Sequence, residues 1–105
     1  MENEFDNVID IDKKKEKKLD KPRMYQVVIL NDDYSTMEFV VMVLKTIFHH
    51  STEAAVNIMQ NVHKTGKGIA GIYTFEVAET KAMEVLALSR AEQHPLQVKL
   101  EPIEN

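Results

Sequence analysis

With 105 residues, of which 44% are hydrophobic and 29% charged, the chain has the length and composition of one small globular domain. The absence of cysteine excludes disulfides, thiolate metal sites, CxxC redox chemistry and a cysteine nucleophile, and fits a reducing, cytoplasmic setting. A formal net charge of -4 argues against sequence-independent nucleic-acid binding, and apolar runs such as 39–44 are far too short to span a membrane.

Residues 1–23 divide into an acidic opening (Glu2, Glu4, Asp6, Asp10, Asp12) and a basic run (Lys13, Lys14, Lys15, Lys17, Lys18, Lys21, Arg23) with few apolar groups. So little apolar surface does not offset the entropy of ordering, and a flexible charged extension is expected there, followed by a core domain over 24–105. The acidic start is also the reverse of a signal peptide's basic one. From Met24 the run Tyr25-Gln26-Val27-Val28-Ile29-Leu30 reads as a strand entering a turn at Asn31-Asp32-Asp33. Ser35-Thr36-Met37-Glu38 fits an S-x-x-E capping box, and Met37, Val40, Val41, Leu44, Ile47 and Phe48 recur at helical spacing, predicting a helix from about Thr36 to His49.

Ser51-Thr52 before Glu53 opens a second helix with Ala55, Ile58, Met59 and Val62 on its apolar face, ending near Gly66. Residues 69–75 suit a strand, Val77 to Gln93 a long helix, and Leu96 to Leu100 a closing strand. The order β-α-α-β-α-β predicts a single-domain α+β fold, a three-stranded antiparallel sheet with helices packed on one face.

Gly66, Gly68 and Gly71 spell G-x-G-x-x-G, but a helix precedes and a strand follows, the reverse of a dinucleotide site. Gly66 instead suits a left-handed helix end, and Gly71 close packing within the strand. Asn31-Asp32-Asp33 reads equally as a simple turn, since these side chains cap and hydrogen-bond local backbone. Two adjacent carboxylates lack the ligand spacing of a calcium loop, and no nucleophile or cofactor motif accompanies them. His49 and His50 at a helix end and His94 before a proline need no functional explanation. His63 lies on the edge of the second helix's apolar face, where a polar ring can complete a pocket wall or simply mark a boundary.

The run from Asn31 through Val40 closely resembles the signature of the ClpS family of N-degron adaptors. Val62-His63, Gly66-Lys67, Glu76-Val77-Ala78-Glu79-Thr80-Lys81 and His94-Pro95-Leu96 follow in family order, so the resemblance covers about residues 24–101. It implies a non-enzymatic, cofactor-free adaptor that recognises an N-terminal Leu, Phe, Tyr or Trp and hands the substrate to the ClpA unfoldase of the ClpAP protease. It further implies that Asn31, Asp33 and His63 hydrogen-bond the substrate's α-amino group, with Asp32 shaping the turn. Ser35, Met37, Val40, Met59, Val62 and Leu96 would form the side-chain pocket, Met37 being the gate, and Glu76 and Lys81 would contact the unfoldase. The extension would influence the hand-over. Thr36 and Ser35 depart from the proline and threonine common in relatives, which bears on pocket size. The competing expectation is an interaction module of the same fold that does not read N-termini.

Overall fold

The computed structural model describes residues 10–11 and 22–104. The expected flexible extension over 1–23 therefore lies mostly outside the described residues. Among the described residues seven elements follow in chain order: β1 (Asp10–Ile11), β2 (Met24–Leu30), α1 (Met37–Thr46), α2 (Thr52–Thr65), β3 (Lys67–Thr74), α3 (Phe75–Ala91) and β4 (Gln97–Pro102). The antiparallel sheet of β4, β2 and β3 is the one the sequence predicts, and β1 adds a two-residue parallel pairing along the outer edge of β4.

Alternation fixes the faces of the sheet. Tyr25, Val27 and Ile29 of β2, with Val98 and Leu100 of β4, point into the core, where the three helices cover them. The α3 stripe Ala78, Ala82, Val85, Leu86 and Ser89 is buried, and its two alanines let the helix lie close to the sheet. Phe75 meets Tyr25 edge to face at 5.1 Å between ring centroids. No helix among the described residues is long and apolar enough to cross a membrane.

Strand β3 departs from ideal pairing in one place. Val27 pairs with Gly71 and Val28 with Ile69, so Ala70 is a bulged residue, and the ring of His50 donates to its carbonyl. The helix-end histidine thus fastens the loop after α1 to the sheet. His49, at φ 60°, reverses the chain ahead of it, and the His50 N–H reaches back to the Leu44 carbonyl at 3.1 Å. This early reversal ends α1 at Thr46 rather than at His49, the end predicted by periodicity.

The start of α1 also shifts by one residue. Thr36, not Ser35, is the N-cap: its hydroxyl accepts from the Phe39 N–H at 3.0 Å, whereas the Ser35 N–H is already donated to Asp32. At the other end of the hairpin Gly66 closes α2 at φ 95°, the left-handed geometry the sequence predicts. Gly68 serves a different purpose. A Cβ there would lie 2.7 Å from Val62 Cγ2 and 3.1 Å from the Ile58 carbonyl, so its absence lets α2 press onto β3.

Two substitutions separate these effects in urea unfolding. Gly68→Ala forces α2 off the strand and lowers stability by about 1–3 kcal/mol, the range for overpacking a tight contact. Ser89→Ala acts in the opposite direction. Ser89 is 2% exposed and its Oγ has no hydrogen-bond partner, so removing it raises stability by about 1 kcal/mol and the midpoint accordingly. An unchanged or lower midpoint for Ser89→Ala would show that its hydroxyl is satisfied.

Candidate functional site

The site forms where the end of β2 meets the end of α2. After Leu30 the chain leaves the sheet, and the Asn31 N–H donates to the Gly66 carbonyl at 2.9 Å. Gly66 in turn donates its own N–H to the Val62 carbonyl at 3.0 Å, so the last turn of α2, carrying Val62 and His63, is tied to the loop carrying Asn31 and Asp33. Segments distant in sequence become opposite walls of one recess.

Asp32 sets the shape of that loop. Its Oδ1 accepts the N–H groups of Tyr34 at 2.8 Å and Ser35 at 2.6 Å, an Asx turn that leads into the Thr36 cap. Burial raises the Asp32 pKa, but the nearby Ser35 hydroxyl, the Ser35 and Tyr34 amides and the charge of His94 outweigh it, leaving the carboxyl below 3.8. Its share of the turn's stability is therefore complete at neutral pH and is lost as pH falls through the depressed pKa. Asp32 Oδ2 and Ser35 Oγ are both buried and lie outside hydrogen-bonding geometry with any partner.

A further brace comes from α3. Gln93, at φ 60°, lets the His94 N–H return to the Ser89 carbonyl at 2.8 Å and its own N–H to Arg90 at 3.2 Å, a Schellman motif with glutamine in the left-handed position. That turn lays the His94 ring on Phe39, with centroids 4.1 Å apart and planes inclined by 13°, against the first turn of α1. No local sequence signal marks this pairing, because it joins residues from opposite ends of the domain.

The resulting cavity measures about 240 Å3 and is lined by Asn31, Asp32, Asp33, Ser35, Met37, Val40, Met59, Val62 and His63. Pockets that bury drug-sized ligands measure roughly 300–1,000 Å3, so this smaller space suits a single residue. One end is polar, formed by the loop and His63; the rest is apolar, floored by the buried Val40 and Val62 with Met59 beside them. Met37 is 50% exposed and stands at the mouth. Among the described residues, no protein group hydrogen-bonds the side chains of Asn31, Asp33 or His63, which leaves all three open to a ligand.

Three further residues singled out by the resemblance lie outside the cavity lining: Leu96, expected in the pocket, and Glu76 and Lys81, expected on a separate surface. Leu96 is 3% exposed and packs in the central core rather than lining the cavity. Glu76 is exposed in the first turn of α3. Lys81 is half-buried, and its Nζ donates to the Ile47 carbonyl at 2.7 Å, capping the end of α1.

Comparison with known proteins agrees with this architecture. The family model described as "ATP-dependent Clp protease adaptor protein ClpS" matches residues 20–99. The ClpS adapter proteins of Hyphomonas neptunium and Caulobacter vibrioides are 52% and 54% identical over 84 residues, covering 80% of this chain and 71% and 77% of theirs. The structure of Agrobacterium tumefaciens ClpS2 bound to L-phenylalaninamide superposes with a TM-score of 0.76 at 36% identity, covering 79% of this chain and all of that one. The chain therefore belongs to the ClpS family of ATP-dependent Clp protease adaptors.

Proposed function

We propose that this adaptor binds proteins through an N-terminal Leu, Phe, Tyr or Trp and delivers them to a ClpA-type unfoldase. The observation that carries this reading is the cavity itself, with open polar side chains at one end and apolar walls sized for one residue. The ligand on the Agrobacterium tumefaciens relative has matching chemistry: phenylalaninamide joins a free α-amino group to one aromatic side chain.

An N-terminal ammonium offers three donors and has a pKa of about 7.7–8.0, so it is mostly charged at neutral pH. Asn31 supplies a carbonyl, Asp33 a carboxylate and neutral His63 one ring nitrogen, an acceptor for each donor. Asp32 is spent on the turn and acts by holding that ring of acceptors in place. Charged hydrogen bonds contribute roughly 1.5–3 kcal/mol each, and burial of a Leu or Phe side chain roughly 1.5–3 kcal/mol. Once the cost of association is subtracted, both contributions together are needed to approach the ~8 kcal/mol of micromolar binding.

Ser35, Val40, Met59 and Val62 receive the side chain, and Leu96 supports the pocket from the core behind it. Met37, at the mouth, stands near the substrate's β-carbon and excludes branching there. Glu76 and Lys81 mark the unfoldase-facing surface at the start of α3, with Lys81 holding the end of α1 as well. Residues 1–23 modulate the hand-over, and the ATP-driven work belongs to the unfoldase.

Acetylating the amino terminus of a Phe-starting peptide removes the charge and two donors, and weakens binding about 100-fold or more in fluorescence anisotropy. Equal affinity for the free and acetylated forms would exclude this site. Met37→Ala opens the mouth, so affinity for an Ile-starting peptide rises about tenfold while a Leu-starting peptide changes little. Unaltered discrimination in that variant would remove Met37 from the gate.

A further inference from the structure

A second recess adjoins the first. Met37 and Met59 line both, and beyond them a groove of about 420 Å3 runs along α1 past Val41 and Met42, with Glu38 and Lys45 on its rim. From Glu38 to Lys45 the helix covers roughly 10 Å at 1.5 Å per residue, space for a side chain beyond the one the first cavity holds. The surface is almost wholly apolar, and Val41, Met42 and Met59 pack against the core while remaining only partly buried. Contiguous apolar surface left open on a folded protein marks an interaction site.

We infer that the groove is a second subsite for the substrate chain and takes an apolar side chain at its third residue. This rests on the first cavity holding the first residue. Phenylalaninamide, the ligand on the Agrobacterium tumefaciens relative, is one residue long and has no third residue to occupy such a groove. A protein substrate continues past the mouth. In an extended chain, side chains of the first and third residues share a face and lie roughly 6.6–6.8 Å apart, while the second points the other way. Two recesses that share the Met37 and Met59 side chains as a common wall are neighbours, as the sites for two same-face side chains must be, and flexible thioethers adapt to a neighbour on either side. This continuity commits the groove to the substrate itself.

The rim carries both charges, Glu38 next to Met37 at the end shared with the first cavity and Lys45 roughly 10 Å further along the helix, so the charge near the shared wall is negative. An acidic third residue would meet Glu38 and lose hydration against Val41 and Met42. A lysine there lays its apolar stem in the groove and turns its ammonium toward Glu38.

The experiment uses the full chain and fluorescein-labelled peptides beginning Phe-Ala-Xaa, with Xaa as Leu, Lys, Ala or Asp, and a further peptide beginning Phe-Leu-Ala. In anisotropy titrations Leu at position three binds about fivefold more tightly than Ala, and Asp more weakly than Ala. Leu at position two gives no such gain. Val41→Asn brings the ratio between the Leu and Ala peptides to about one; Met42→Gln serves the same purpose if circular dichroism finds Val41→Asn unfolded. Equal affinities for Leu and Ala at position three, a gain at position two instead, or a preference that survives in the folded groove variant would each overturn the subsite. Failure of every Phe-starting peptide to bind would overturn the reading of the first cavity, a result distinct from binding without dependence on position three.

Discussion

The hydrogen bond from the Asn31 amide to the Gly66 carbonyl is the constraint on which the site depends. It is available only because Gly66 turns the chain at φ 95°, ending α2 and aiming its carbonyl at the strand that begins the domain. Any other residue there carries the strain of the left-handed region. The same turn starts β3, whose register against β2 runs from Leu30 paired with Lys67. One backbone geometry thus fixes the first strand pair and the distance between the Asn31 loop and His63. Gly68, two residues further, removes the side chain that would hold α2 away.

Around that junction the polar groups divide into those already used and those left open. Asp32 Oδ1 accepts two amides, and its depressed pKa keeps it charged, so the loop is held without help from a ligand. His94, stacked on Phe39 and placed by a Schellman turn, adds positive character behind the carboxylate and steadies the first turn of α1. Asn31, Asp33 and His63 stay uncommitted. In the proposed complex this division is what makes recognition inexpensive in entropy, since the acceptors are positioned before the ammonium arrives.

Most of the fold was legible from pattern alone. The β2 run, the helical spacing from Met37 to Phe48, Ser51 as a cap and Gly66 as a stop all act locally, through residues next to one another in sequence. The capping box misplaced the start of α1 by one residue, because Asp32 competes for the Ser35 amide and Thr36 takes the cap instead. The bulge at Ala70, its bond to His50 and the His94 ring on Phe39 left no trace, since each joins distant segments. Of the residues expected in the pocket, Leu96 alone lies outside the cavity lining: an apolar residue after a proline reads the same whether it faces a ligand or the core. The groove beside the cavity was likewise hidden, because Val41 and Met42 satisfy the helical repeat as well as any core residue.

Lys81 connects the two ends of the molecule's proposed work. Its ammonium donates to the Ile47 carbonyl, one of the acceptors that the end of α1 would otherwise leave unpaired. It therefore holds the helix whose first turn bears Met37 and Val40 against the helix that presents Glu76 to solvent. Replacing Lys81 would remove a surface charge and also release the end of α1, so a loss of unfoldase delivery in such a variant has two physical sources. They are separable in principle: loss of the surface charge leaves peptide affinity intact, whereas a loosened α1 also alters the pocket. The proposed substrate-reading and unfoldase-facing surfaces are thus joined by this side-chain to backbone hydrogen bond, alongside the stacking of His94 on Phe39.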